Sequence, residues 1–469
     1  MRLCVNQGSH FLCDGGSPFF YLADTAWLLF NKLTEDDARK LFVDRSSKGF
    51  TVVQACVFRD LFKPNTANVA GVKPFASDDD MRAVRLNPDW VAHVVRVTKI
   101  AAEYGLTMGL LPTWGDKWNE HSNSAGPVIM DRASAREYCC GLSDALGECE
   151  NVIWILGGDS PVRTQAEADT IRAMADGIRS GRSADHLISF HPEGQSSSAI
   201  FHSEPWLDFN AIQSSHFKPN FPNYLHIERL HAERPTKPVI DLEANYERIP
   251  MFLTAWHGLQ PKMDVVFSAY DVRKAYYRSV LAGAAGHTYG CEPIRQVHRK
   301  GDKVHGAEGE SMMTWDVALG EPGSGQLKLL KDTLLSRSYF TRTPAQELLR
   351  SYTQQPAWAD PMGVGIPFAA QENTDPVSHI RVARCTNGSY LYVYMPVRQL
   401  LYLDVSGLAS KHLRLTAHDP ASGDVVDTFD FDMPRVEDTG ATYATRVEDG
   451  MLFYVPRTDL DSFIIIDAI

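Results

Sequence analysis

NVIWILGGDSPVRTQAEADTIRAMADGIRSGRSADHLISFHPEG, residues 151–194, decides how the chain folds. It opens on an apolar run, Val152–Leu156, that turns polar only at its end. A stretch of helical periodicity follows, AEADTIRAMADGIRSG, with Gly181 as its stop. A second apolar run begins at His186. An apolar run with no alternation is what a strand covered on both faces requires, so strand, helix and strand here make one parallel βαβ unit.

The same alternation extends in both directions. Upstream lie FFYLADTAW (19–27), FTVVQACVF (50–58) and LTMGLLPTW (106–114); downstream lie DFNAIQSSH (208–216), PVIDLEANY (238–246) and GHTYGCEP (286–293). Amphipathic stretches separate them. One has Thr34 as N-cap and Gly49 as stop, another Asn87 and Pro88 at its start and Gly105 at its end. YLHIERLHAER and DVRKAYYRSVLAGA continue the series, and GSGQLKLLKDTLLSR (323–337) closes it. Eight strand–helix repeats, with no GxGxxG after the first run, indicate a (β/α)8 barrel rather than a doubly wound sheet.

Beyond about residue 345 the texture changes. Short alternating runs, from HIRVARC (379–385) through YATRV (443–447) to SFIIIDAI (462–469), are split by NG, SG, DP and DG turns with no helical pattern between them. That is the signature of an all-β sandwich. The reading is therefore a catalytic-size barrel over 1–340 and a sandwich over 341–469, with 351–378 as linker or embellished first strand. The whole chain, 469 residues with 44% hydrophobic and 22% charged, has globular composition. A net charge of −12 argues against phosphate-driven nucleic-acid binding and against anionic membrane surfaces. No run approaches the 18 apolar residues of a membrane span. The eight cysteines show no CxxC and read as reduced, buried thiols. With no apolar leader at the N-terminus, a cytoplasmic location is expected, or a secreted or periplasmic one if a signal was removed.

Barrel enzymes work at the C-terminal ends of their strands. Those ends present Asp24, Thr25 and Trp27; Gln54, Arg59 and Asp60; Trp114, Asp116 and Trp118; Asp159; His191 and Glu193; Gln213 and His216; Asp241, Glu243, Asn245, Tyr246 and Glu247; and His287, Tyr289 and Glu292. Aromatic faces beside carboxylates, Gln and His suit a sugar, whose C–H faces stack while its hydroxyls need partners. Strands four and seven lie across the mouth from one another. Asp159 and Glu243 are thus placed to act as acid/base and nucleophile of a retaining glycosidase, which needs carboxyl groups about 5–5.5 Å apart. Gly157 and Gly158 are expected to let substrate approach the backbone. Asp24, Trp27, Gln54, Arg59, Trp114, His191, Gln213, His216, Tyr246, His287 and Tyr289 are the candidate substrate contacts. Asp241 is expected to face away from the site, paired with Lys or Arg, and Glu193 and Glu247 to be solvated. His191, His216 and His287 also admit a metal-hydrolase reading, against which stands ADTAW on strand one, where barrel amidohydrolases carry His-x-His. A third alternative is a carbohydrate-binding barrel without catalysis. No metal and no cofactor are expected, and the partner is a carbohydrate or glycoside; the oligomeric state is not legible.

LADTAWLLFNKLTEDDARKLFVDRSSKGF, WILGGD, WLDFNAIQSSH, PVIDLEANYE and GHTYG, in this order, resemble the apiosidase-like proteins of glycoside hydrolase family 140. The resemblance spans nearly the whole chain. It implies a (β/α)8 barrel followed by a C-terminal β-domain of the type labelled collagen-binding, and a retaining enzyme acting on β-linked apiose. The family's acid/base, the Asp of GGD, corresponds to Asp159, and its strand-seven nucleophile to Glu243.

Overall fold

The computed structural model describes residues 2–6, 8–59, 65–122, 124, 126–251, 265–302, 312–350, 373, 375–433, 446–448 and 450–469. Asp60, most of the 351–378 stretch and most of the YATRV run lie outside them. The chain divides into two compact units: Met1–Pro219, His226–Val272 and Ala284–Lys328 form one, and Asn220–Leu225, Arg273–Gly283 and Leu329–Ile469 the other.

The first unit is the barrel. Its eight parallel strands are β1 (Tyr21–Thr25), β2 (Val52–Cys56), β3 (Thr107–Leu111), β4 (Val152–Gly157), β5 (Ile188–His191), β6 (Asn210–Gln213), β7 (Val239–Asp241) and β8 (Gly286–Tyr289). Hydrogen-bonded order runs β5-β4-β3-β2-β1-β8-β7-β6, so β1 pairs on one side with β2 and on the other with β8. Between β5 and β6 the Asp208 amide donates to the Ile188 carbonyl at 2.9 Å, and the Ser189 hydroxyl to the Phe209 carbonyl at 2.8 Å. Those two bonds bring the ends of the sheet together, and the (β/α)8 reading holds. A short strand, Ser196–Ser197, adds antiparallel to β6.

Alternate strand residues fill the interior: Tyr21 and Ala23 from β1, Val52 and Cys56 from β2, Ile153 and Ile155 from β4, Ala211 from β6 and Ile240 from β7. The intervening residues face the helices. The helix starts are chemically specified. Thr34 and Asp37 form a capping box for Glu35–Ser47, and Thr164 and Glu167 another for Gln165–Ser180. Asn87 caps Pro88–Glu103, and Gly49 and Gly105 take the positive φ values that end their helices.

One element has no counterpart in the sequence reading. Leu3–Val5, Leu12–Asp14 and Ser17–Phe19 form a three-stranded antiparallel sheet whose Leu3, Leu12 and Phe19 join the interior cluster. In it Cys4 and Cys13 lie directly opposite, Cα atoms 5.2 Å apart, and are joined by a disulfide. The expectation of eight reduced thiols is corrected to six; strand pairing, invisible in Cys spacing, brings the other two together. Among the described residues no helix is long and apolar enough to cross a membrane.

The second unit contains the β-sandwich. β9 (Arg342–Pro344), β10 (Arg381–Cys385), β11 (Tyr390–Met395), β13 (His412–His418), β14 (Val425–Asp432) and β17 (Ser462–Ala468) form a sheet in the order β9-β10-β11-β17-β13-β14. β12 (Leu401–Asp404), β15 (Arg446–Glu448) and β16 (Met451–Tyr454) form a smaller one. Val382, Leu391, Val393, Leu415 and Ile464 from the first meet Leu401, Leu403 and Leu452 from the second in one buried core.

Candidate active site

β4 ends in Gly157-Gly158-Asp159, three successive residues with positive φ of 95°, 100° and 52°. The glycines are required by the protein's own packing. A Cβ on Gly157 would stand 2.4 Å from the His191 carbonyl oxygen, and one on Gly158 2.8 Å from the Gly115 amide nitrogen. Here the sequence reading is corrected: the closely approaching group is the neighbouring strand and loop, not substrate. The turn delivers Asp159 in a left-handed conformation that Asp tolerates better than most residues. Its amide donates to His191 Nδ1 at 3.3 Å.

His191, at the end of β5, connects the two carboxylates. His191 Nδ1 lies between the Asp159 amide and the Pro192 carbonyl, at 3.3 and 3.1 Å, and Nε2 lies 3.2 Å from Glu243 Oε2 in an ion-pair contact without hydrogen-bond alignment. His216 Nδ1 stands 3.9 Å from Glu243 Oε1, and Tyr246 acts on the same carboxylate electrostatically. Burial by itself would raise Glu243, which is 4% exposed; His191, His216 and Tyr246 outweigh it and hold the carboxyl below its ordinary range. Asp159 moves the other way. Desolvation and the Glu243 charge push it up to about 7, against smaller opposing contributions from His191, Gln213 and Arg59.

Tyr246 has a built seat. A Cβ on Gly290 would lie 1.8 Å from Tyr246 Cδ1, so the GHTYG glycine exists to receive that ring. Its other neighbour is His216, stacked at 5.2 Å between centroids. Gly290→Ala is expected to displace Tyr246, costing about 1–3 kcal/mol by overpacking and lowering kcat. Thermal denaturation and steady-state kinetics check both; an unchanged kcat would separate the seat from catalysis.

Trp27 and Trp114 meet edge to face at 5.2 Å, and each contacts the His191 ring. The Arg59 guanidinium lies 3.5 Å over the Trp114 ring. Six polar atoms at the ends of β3, β6 and β7 are buried and have no aligned hydrogen-bond partner among the described residues: Trp114 Nε1, Gln213 Oε1, Ser215 Oγ, His216 Nδ1, Glu243 Oε2 and Asn245 Nδ2. Buried polar atoms are ordinarily paired, so this concentration marks where a hydroxyl-rich ligand supplies the missing partners.

Trp27, Arg59, Trp114, His191, Gln213, His216 and Tyr246 lie in the same region as Asp159 and Glu243. Gln54 lies inside the barrel, donating to the Leu242 carbonyl at 3.1 Å and to Thr288 Oγ1. Three candidates are corrected because strand parity turns them toward the helices. Asp24 is fully buried and takes Arg45 Nε at 2.6 Å; Tyr289 donates to Glu247 at 2.6 Å; His287 sits 3.8 Å from Asp241, and burial lowers it to about 3. Glu247, expected to be solvated, is buried between Tyr289 and the Gly323 amide. Asp241 does face away from the mouth, accepting from Ser214 Oγ at 2.7 Å. With His287 turned aside, the three histidines do not converge; among the described residues no cluster of three His, Cys, Asp or Glu is arranged for a metal. Ser215 and Arg295 were not anticipated. Arg295, gripping Glu292 with Nη2 to Oε1 at 2.6 Å, stands 5.8 Å from the Tyr246 ring. Its only signal in the sequence is its place in the loop after the eighth run.

Asp24→Ala is expected to leave Asp44, 2.5 Å from Arg45 Nη1, as the remaining carboxylate partner of the buried Arg45, and to destabilise the barrel by about 1–3 kcal/mol. KM of the folded enzyme should stay unchanged. A raised KM without loss of stability would return Asp24 to the substrate contacts.

Two buried carboxylates with opposed environments, an aromatic wall and unpaired polar atoms lie together at the mouth of a (β/α)8 barrel, the setting of a glycoside hydrolase. Residues 6–341 match the model of the apiosidase-like catalytic domain, and the chain belongs to that family. It is similar to a solved glycoside hydrolase at 26% identity and TM-score 0.79, covering 100% of this chain and 97% of that one. A glycoside hydrolase family 5 structure from Bacteroides vulgatus ATCC 8482 is similar at 25% identity and TM-score 0.81, covering 100% and 93%. No curated protein matches the chain.

Proposed function

We propose that this glycoside hydrolase is a retaining enzyme of the family 140 type, cleaving a β-linked apiose or related glycosidic bond in a plant-derived glycan or glycoside. The observation that carries the reading is the electrostatic division of Asp159 and Glu243: one is pushed up to about 7 and the other held low, beside the same imidazole. Protonated Asp159 gives its proton to the glycosidic oxygen as the Glu243 carboxylate attacks the anomeric carbon, and the aglycone leaves. Asp159, now ionised, takes a proton from water. That water displaces Glu243 from the glycosyl ester, restoring both groups and the original anomeric configuration. No residue in this sequence of steps calls on a metal or cofactor.

The test is incubation of the purified protein with aryl β-glycosides and apiose-bearing oligosaccharides, with released sugar quantified and its first-formed anomer read by NMR. Release of apiose with retained configuration, undiminished after prolonged chelation, is expected. Inverted product would overturn the double displacement. Loss with EDTA and recovery with Zn²⁺ would establish the metal-hydrolase alternative. Release from no substrate would favour a binding barrel.

A further inference from the structure

We propose that Trp118 is a positioning residue for this active site: its indole N–H, donated to the Gly157 carbonyl at 2.9 Å, holds the left-handed turn that presents Asp159 at the mouth. The catalytic consequence rests on the reading of Asp159 as acid/base; the hold on the turn does not.

The turn cannot hold itself. Gly157, Gly158 and Asp159 take positive φ in succession, and two of the three are glycines, whose backbone moves most freely between conformations. A non-glycine residue in the left-handed region stays there only where its surroundings over-determine it. β5 supplies one side of that restraint. The Gly158 amide donates to the His191 carbonyl at 3.2 Å, and the Asp159 nitrogen lies 3.3 Å from His191 Nδ1. The loop after β3 supplies the other. Its Gly115 amide donates to the Gly158 carbonyl at 3.0 Å, Trp118 Nε1 to the Gly157 carbonyl, and Asn119 Nδ2 to the Pro161 carbonyl. Donors from residues 115–119 thus meet carbonyls both before and after Asp159. The two loops are in close contact there, since a Cβ on Gly115 would lie 1.9 Å from Ser160 Oγ.

Within this clasp Trp118 is the side chain that a substitution isolates. It is 4% exposed, and its ring nitrogen, which only donates, is engaged by the protein. Trp114, on the same loop, differs in that its Nε1 has no aligned partner among the described residues. The Trp118 amide donates to the Gly115 carbonyl at 3.2 Å and closes the short turn Gly115–Lys117, which sets the indole in place. Trp118→Phe removes the N–H, leaves a buried carbonyl without that donor, and keeps Asp159 and the Gly115 and His191 bonds. Asp159 then gains freedom to leave the orientation in which its proton reaches the glycosidic oxygen. That loss matters more the more basic the leaving group is.

The experiment compares full-length wild type, Trp118→Phe, Asp159→Ala and the double variant in two ways. Hydrogen–deuterium exchange is followed on peptides covering 152–163, where Trp118→Phe is expected to speed exchange about ten-fold while the rest of the barrel stays as in wild type. In parallel, kcat/KM is measured on aryl β-apiosides whose phenols run from basic to acidic. Trp118→Phe should lower it about ten-fold on the most basic phenol and less than about two-fold on the most acidic. The double variant should match Asp159→Ala to within about two-fold, because the turn then carries no acid to position. Unchanged exchange over 152–163, exchange raised equally throughout the barrel, an equal loss on every phenol, or a loss that adds in full to that of Asp159→Ala overturns the proposal. Should Trp118→Phe fold poorly, 3-benzothienylalanine at position 118 keeps the bicyclic shape without the N–H and is judged by the same outcomes. If Asp159→Ala shows no dependence on the leaving group, or no aryl apioside is turned over, the acid/base or substrate reading fails, while the exchange still decides the hold on the turn.

Discussion

Glu243→Ala is expected to lose activity by about 10⁴-fold or more on natural and activated substrates alike, because no glycosyl ester can form without the carboxylate. Added azide should restore turnover of an aryl β-glycoside by direct attack from the vacated side, giving the glycosyl azide of opposite anomeric configuration. Folding should survive the change. Glu243 lies at the mouth rather than in the barrel interior, and the β7 segment is anchored by its backbone, with Ser215 N donating to the Glu243 carbonyl at 2.9 Å. Substantial activity without azide would exclude Glu243 as nucleophile. Glu247 would not inherit the role, since its carboxylate is already bound by Tyr289 and the Gly323 amide.

Asp159→Ala separates two chemical steps that Glu243→Ala removes together. A natural glycoside has a poor leaving group, so loss of the acid should cost about 10³-fold. An acidic phenol leaves unaided, so an activated aryl glycoside should still glycosylate Glu243, and the ester should then accumulate and hydrolyse slowly. Azide, which needs no general base, should release it as a glycosyl azide of retained configuration. A product of opposite configuration would mean that the two roles are exchanged. The pH profile carries the same assignment. In wild type, activity on poor leaving groups should fall as pH rises through about 7, because ionised Asp159 has no proton to give. At the other end it should fall only below the ordinary carboxylate range, where Glu243 takes up a proton and ceases to be a nucleophile. These two limbs belong to the interacting pair rather than to isolated residues. In Asp159→Ala the basic limb for glycosylation by an activated substrate should disappear.

Much of the site was legible because strand ends can be read by eye. GGD and DLEANY end apolar runs, and the barrel rule sends such ends to one mouth. Parity was harder. Asp24, His287 and Tyr289 stand at strand ends like the true rim residues, yet each falls on the helix-facing side of a strand whose interior positions are Ala23 and Thr288. A buried run with both faces apolar gives no alternation from which to tell inside from outside. Likewise, nothing in their sequence distinguishes a glycine that admits substrate from one that admits a neighbouring strand. For Gly157 and Gly158 the identity of the close neighbours, the His191 carbonyl and the Gly115 amide, decided it.

What the sequence by itself determined is the class of fold and the placement of two candidate carboxylates: eight buried strand runs, capped helices between them, an alternating C-terminal region, and Asp159 and Glu243 at facing strand ends. These are local properties, written in periodicity, caps and turn residues. Only the tertiary structure decided what each rim residue does. The Cys4–Cys13 pair, the Arg45 partner of Asp24, the seat of Tyr246 on Gly290 and the indole of Trp27 against that phenol all join residues distant in sequence or on different strands. The opposed protonation of Asp159 and Glu243 has the same origin. Two carboxylic acids of ordinary acidity are driven apart by desolvation, by one another's charge and by the histidines and tyrosine around them, and those interactions exist only once the barrel has closed.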